Sequence, residues 1–226
     1  MNKISQWYPL LGHLTFPTVF IGLTDEGAAS IIAGDASDEL EHRIDRAISS
    51  LPGSCVVGID NCLPTDSVIF QKNRALKTGK AALKMIASSS KCCDSLKEER
   101  TLIVRPYRRM DKTREFRLFI KDGQLSGMSQ RILERHFRRL EDRRTIYWEK
   151  AQDFTANILK YIKDDELVVD IYFTSTGEIM IVDFNDWGAP TEALLFKKWD
   201  RDWSEVAGLK LMAPPIKMNG DIKVSF

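Results

Sequence analysis

The stretch "EFRLFIKDGQLSGMSQ", residues 115–130, alternates apolar and polar side chains on both sides of Asp122-Gly123. That dipeptide tolerates the positive φ angles of a two-residue turn, and between alternating runs it is the strongest local signal for a β-hairpin. Across such a turn Phe116, Leu118, Ile120 and Leu125 share one side, while Glu115, Arg117 and Gln130 share the other. A second segment, "VVDIYFTSTGEIMIVDFNDWG" (168–188), also reads as a hairpin, but it carries Asp170, Asp183 and Asn185 among Val, Ile, Tyr, Phe and Met. An unpaired carboxylate in such company is costly to desolvate, so these polar groups need partners.

The preceding chain interleaves helices and strands. Residues 14–23, "LTFPTVFIGL", predict a strand with Pro17 marking an edge or bend. In 38–51, Leu40, Ile44, Ala47, Ile48 and Leu51 recur at helical spacing behind Asp38 as N-cap. "CVVGI" (55–59) is a short strand, 65–85 is helical with a break near Gly79, and "ASSSKCCDSLKEER" is a polar connector with some helical character. "TLIVRPY" is a strand stopped at Pro106, and an amphipathic helix is predicted over 149–163. Strands mixed with helices and hairpins predict an α+β or α/β protein, and no internal repeat of useful period is visible.

A chain of 226 residues with 43% hydrophobic and 29% charged residues can bury a sizeable core, as one domain or as two subdomains sharing a cleft. No apolar run approaches the roughly 20 residues that span a bilayer, and the start lacks a signal-peptide pattern, so an intracellular, cytoplasmic protein without a membrane partner is expected. A net charge of +1 makes no overall case for nucleic acid. Cys55, Cys62, Cys92 and Cys93 match no zinc spacing and read as free thiols in a reducing compartment, while His13, His42 and His136 make no local metal pair.

In the acidic hairpin, side chains of period two put Ile179, Ile181, Asp183 and Asn185 on one face, and Val168, Asp170 and Tyr172 on one face of the other strand. A loop of even length pairing Thr174 with Gly177 sets Asp170 opposite Ile181 and Asp183 opposite Val168, with all three polar groups on the same side. Two carboxylates and an amide oxygen are hard donors that suit Mg²⁺ held jointly with a phosphate ligand. The alternative is a solvated sheet face whose charges need no partner, since a one-residue slip of register separates the acids.

These residues resemble a family. "DIYFTSTGEIMIVDFNDWGAPTEALLF" looks like the closing segment of the cell-division-cycle ATP-grasp family, the assembly chaperones of eukaryotic translation initiation factor 2. "WYPLLGHLTFPTVFIGL", "AISSLPGSCVV", "LPTDS", "LIVRP" and "EFRLFIKDGQLSGMSQR" occur in the family's order, so the likeness covers most of the chain. The resemblance implies an α+β, ATP-grasp-like fold with an N-terminal lobe of residues 1–100 and a C-terminal lobe of 101–226 that hold ATP and Mg²⁺ between them. It implies Asp170, Asp183 and Asn185 as metal-binding positions, Arg105 and Tyr107 beside the nucleotide at the hinge, and Arg117 and Arg131 near the phosphates. A guanidinium fork grips phosphate oxygens in pairs; the alternative for Arg117 is a salt bridge with Glu115.

Departures from the family pattern bear on affinity. Gly58 and Ser88 stand where the family carries lysines, and "DFNP" is "DFND", with Asp186 as an added acid. A substitute cation would come from Lys72, Lys77, Lys80 or Lys84. "RILERHFRRLEDRR" (131–144) concentrates arginine but interleaves Glu134, Glu141 and Asp142, which reads as a solvated, salt-bridged helix rather than an RNA site. The resemblance implies a protein client, a translation initiation factor subunit. The competing functions are an ATP-grasp ligase working through an acyl phosphate and an interaction module that has given up ATP.

Overall fold

The computed structural model describes residues 2–215. In chain order it runs α1 (Ile4–Leu11), β1 (Val19–Gly22), α2 (Asp25–Ala33), α3 (Asp38–Ser49), β2 (Cys55–Ile59), α4 (Val68–Lys72), α5 (Gly79–Ala87), α6 (Ser90–Ser95) and β3 (Thr101–Pro106). Then follow β4 (Glu115–Lys121), β5 (Gln124–Gln130), α7 (Arg138–Glu141), α8 (Arg144–Ile158), β6 (Glu166–Phe173), β7 (Ile179–Asn185) and β8 (Gly208–Lys210). The architecture is α+β with two sheets, β1-β3-β2 and β7-β6-β4-β5-β8.

Local chemistry explains most boundaries. Thr24, Ser37, Ser67, Thr78 and Ser89 each accept a hydrogen bond from a backbone N–H in the first turn of the helix that follows, satisfying a donor that has no partner within the helix. The cap of α3 is therefore Ser37 rather than Asp38, which sits in the first turn. The break near Gly79 is the gap between α4 and α5. Asp122 and Gly123 both take positive φ, 51° and 72°, as the tight turn demands. The long helix begins at Arg144 and ends at Ile158, earlier than the pattern of 149–163 indicates. The arginine-rich segment gives only the short α7, because Arg131, Arg139 and Arg144 are drawn to partners outside it: Asp170, Asp111 and the Leu209 carbonyl.

The small sheet divides two cores. On one side Leu102 and Val104 of β3 and Val57 and Ile59 of β2 pack with Ile31, Ile44, Leu83 and Ile86 of the helices. On the other, Ile103 joins Phe116, Leu118, Val169, Ile171 and Ile181 of the large sheet. Helix α1 belongs to this second core through Ile4, Trp7 and Leu11, with the Trp7 ring 5.1 Å from that of Phe184. The expected division at residue 100 thus separates β3 from the strands it pairs with, and α1 packs with the C-terminal sheet. Residues 216–226 of the expected C-terminal lobe lie outside the described residues.

Both hairpins depart from the simple register. Between β4 and β5 a bulge at Ser126 leaves Ile120 opposite Leu125 but sets Phe119 opposite Gly127 and Phe116 opposite Gln130. Gln130 therefore lies on the Phe116 side and not with Arg117, because one extra residue inverts the facing of all that follow. Between β6 and β7 the turn takes three residues, with Thr174 bonded to Glu178 and Gly177 at φ 83°. Ile171 faces Ile181, and a bulge at Val182 then puts Asp170 directly opposite Asp183 and Val168 opposite Asn185.

Candidate functional site

Asp170, Asp183 and Asn185 share one face of the large sheet, as cross-strand pairs do. Two one-residue departures from the even-loop register, the longer turn and the bulge, cancel in parity and restore the common face. Arg117, opposite Asp170 on β4, is 4% exposed and grips its carboxylate with both arms of the fork: Nε to Oδ1 at 2.7 Å and Nη2 to Oδ2 at 2.8 Å. Its Nη1 donates to the Glu192 carbonyl at 2.9 Å. Its salt bridge is with Asp170, not Glu115. Arg131 Nε and Asn185 Nδ2 both reach Asp170 Oδ2 at 3.3 Å.

Among the described residues no cation lies at hydrogen-bond range of Asp183; its Oδ1 accepts from the backbone N–H of Phe184 at 3.0 Å. The residue is half-buried, and its carboxyl group feels the charges of Asp170 and Arg105 and lies within electrostatic reach of Cys62. Burial foremost, then the neighbouring Asp170 carboxylate, push its pKa up to about 7, with Arg105 pulling the other way.

Arg105, at the end of β3, spans the two sheets. Its Nη1 donates to the Val182 carbonyl at 3.1 Å and its Nη2 to Thr15 Oγ1 at 2.6 Å, while its Nε is buried and has no partner among the described residues. Burial lowers its pKa to about 10, opposed by the charge of Asp183. Beside it a cavity of about 160 Å³ opens near the end of β3, lined among others by Val56, Leu63, Phe70, Arg74, Tyr107 and Met110. Tyr107 is fixed there by its backbone N–H, which donates to the Ser54 carbonyl at 2.7 Å. The cavity is smaller than the roughly 300–1,000 Å³ that encloses a whole small-molecule ligand, so it suits one end of a ligand.

The lysine positions also have a structural account. Gly58 lies on the cleft face of β2 with Val56, and the Cys62 carbonyl and Leu63 fill the space a side chain would take. Ser88 ends α5 and is bonded to Ser67 Oγ at 2.6 Å. Lys80 and Lys84 line a separate groove between α5 and the α2–α3 region. A cation that the N-terminal part supplies beside the cavity is Arg74, which sequence reasoning missed: its guanidinium lies 5.2 Å over the Phe70 ring and its charge reaches Glu115 of β4. Asp186 is bonded to Asn2 Nδ2 at 2.9 Å.

A divalent cation fits this set. Oδ1 of Asp170 and Oδ2 of Asp183 retain lone pairs, and a cation between them would offset the repulsion that, after burial, raises the Asp183 pKa. Among the described residues no three His, Cys, Asp or Glu side chains form a cage. Mg²⁺ would therefore take further ligands from water and phosphate, its usual mode.

A family model described as D123 matches residues 24–210. The chain belongs to the D123 family. It is 28% identical over 202 residues to a translation initiation factor eIF2 assembly protein of Xenopus tropicalis, covering 80% of this chain and 59% of that protein. It is 27% identical over 225 residues to a CDC123-like protein of Acanthamoeba polyphaga mimivirus, covering 88% and 69%. Cdc123 of Schizosaccharomyces pombe superposes with a TM-score of 0.80 at 21% identity over 94% of this chain and 93% of that one. A biotin carboxylase of Campylobacter jejuni superposes at 0.52 and 9% identity over 82% and 40%. The fold is ATP-grasp-like. The chain spans less than two thirds of the Xenopus relative, and among the described residues no helix is long and apolar enough to cross a membrane.

Proposed function

We propose that this chain binds ATP with Mg²⁺ in the crevice between its two sheets and works in the cytoplasm by engaging a client protein, a subunit of a translation initiation factor. The observation that carries the nucleotide reading is the placement of Asp170 opposite Asp183, with Asn185 beside them and Arg105 and its cavity adjoining. The base end enters the cavity beside Tyr107 and Met110, Asp170, Asp183 and Asn185 hold the metal, and Arg131 and Arg74 face the phosphates. Arg117 acts by fixing Asp170, since both arms of its fork are committed there. The client reading rests on the name of the Xenopus relative.

Affinity is modest, because each missing lysine removes a charge-assisted contact of roughly 1.5–3 kcal/mol. Titration calorimetry with ATP tests this: heat is expected with Mg²⁺ and none with EDTA, and tight binding in EDTA contradicts the site. Co-purification with separately expressed initiation-factor subunits tests the client. Release of phosphate on adding candidate carboxylates and amines would instead favour a ligase.

A further inference from the structure

We infer that Thr15, acting with Arg105, is a positioning residue that holds the β7 bulge open and so sets Asp183 beside Asp170; this rests on the metal reading above. The hairpin turn by itself does not bring the acids together. From Phe173–Ile179 and Ile171–Ile181 the regular ladder would continue to Asp170–Val182, which sends the Asp183 side chain to the apolar face. Only the extra residue at Val182 reverses this. A bulge disrupts its ladder locally, so the groups it displaces need other partners.

Those partners come from outside the sheet. β7 is an edge strand, and Thr15, 7% exposed, lies against it in a parallel bridge to Ile181. Thr15 Oγ1 donates to the Ile181 carbonyl at 2.7 Å and accepts from Arg105 Nη2 at 2.6 Å, while Arg105 Nη1 donates to the Val182 carbonyl at 3.1 Å. Two successive carbonyls flanking the bulge are thus held by one hydroxyl and one guanidinium, themselves bonded together. The hydroxyl is what the geometry requires: it is the one group here that both accepts from Arg105 and donates to Ile181.

Thr15→Val keeps the side-chain shape and removes the hydroxyl, and Thr15→Ser keeps the hydroxyl. The expected result is that Thr15→Val weakens Mg²⁺-dependent ATP binding by about tenfold or more, as for loss of two buried hydrogen bonds, while Thr15→Ser stays within about threefold of the parent. Equal affinity for the Val variant, or equal loss in both variants, overturns the inference. If Thr15→Val does not fold, Arg105→Lys takes its place, since an ammonium cannot span both acceptors with the same fork; unchanged binding in that variant overturns it. Cross-strand nuclear Overhauser contacts give a readout without ligand. Contacts of residue 170 with 183 should give way to contacts with 182 in Thr15→Val, and their persistence overturns the latch. If the parent protein binds no Mg²⁺-ATP, the nucleotide reading fails, and the Overhauser contacts alone decide the latch.

Discussion

A Cβ at position 58 would stand 2.8 Å from the Cys62 carbonyl oxygen and 2.7 Å from Leu63 Cδ2, closer than real Cβ atoms come. Gly58→Lys would therefore not restore a family cation but displace the turn after β2. Gly58→Ala is expected to lower stability by about 1–3 kcal/mol, as overpacking does, read as a lower melting temperature in circular dichroism; a rise in melting temperature would show that the turn yields freely. Asp183 contributes a pH dependence to the stability of the metal-free protein. Its pKa of about 7 in the folded chain lies above its ordinary value near 3.9. The stability it contributes is fully present below about pH 4 and is lost as pH rises through 7, with a slope of at most about 1.4 kcal/mol per pH unit. Denaturant melts of Asp183→Asn between pH 4 and 8 should lack that decline, and the variant should be as stable as the parent or more so at pH 8 while binding Mg²⁺-ATP less well. Parallel pH profiles for the two proteins would mean that Asp183 titrates normally.

Helix α1 is tied at its start by a residue far away in sequence. Asp60, 2% exposed, accepts from the Ser5 backbone N–H at 2.8 Å and from the Ser5 hydroxyl, and its carbonyl accepts from Ile4 N–H at 3.2 Å. This supplies the cap that Lys3 cannot, since Lys3 makes no side-chain bond to the helix. Lys3 pairs instead with Glu99 at the foot of β3. Asp60→Ala is expected to cost about 0.5–2 kcal/mol and to loosen the first turn of α1, seen as faster amide exchange at Ser5–Trp7. Exchange unchanged there would place the capping energy elsewhere.

At the scale of the whole molecule the crevice lies between the two sheets, which Arg105 and Thr15 tie together. A ligand bound across such a crevice stabilises both sides at once. At a hundredfold excess over Kd, Mg²⁺-ATP should add about 2.7 kcal/mol, which for a chain of this size is roughly 5–10 °C in melting temperature. A thermal shift assay should show this increase with Mg²⁺ and ATP together and not with either alone; an equal increase with ATP and EDTA would remove the metal from the site.

Period and turn chemistry in the sequence determined both hairpins, the strand at 55–59 and the stop at Pro106, because these depend on contacts within a few residues; the start of α3 was legible to within one residue, with Ser37 rather than Asp38 as its cap. The common face of Asp170 and Asp183 was also legible, but through a register the chain does not adopt. The bulges at Ser126 and Val182, the partner of Arg117 and the burial of the Gly58 face were decided only by tertiary structure. A bulge has no local sequence cost that marks its position; it persists where carbonyls such as those of Ile181 and Val182 find donors from strands and loops 77 or more residues away. Sequence distance hides such donors, and the physical preference they meet, that buried polar groups find partners, acts only once the chain has folded.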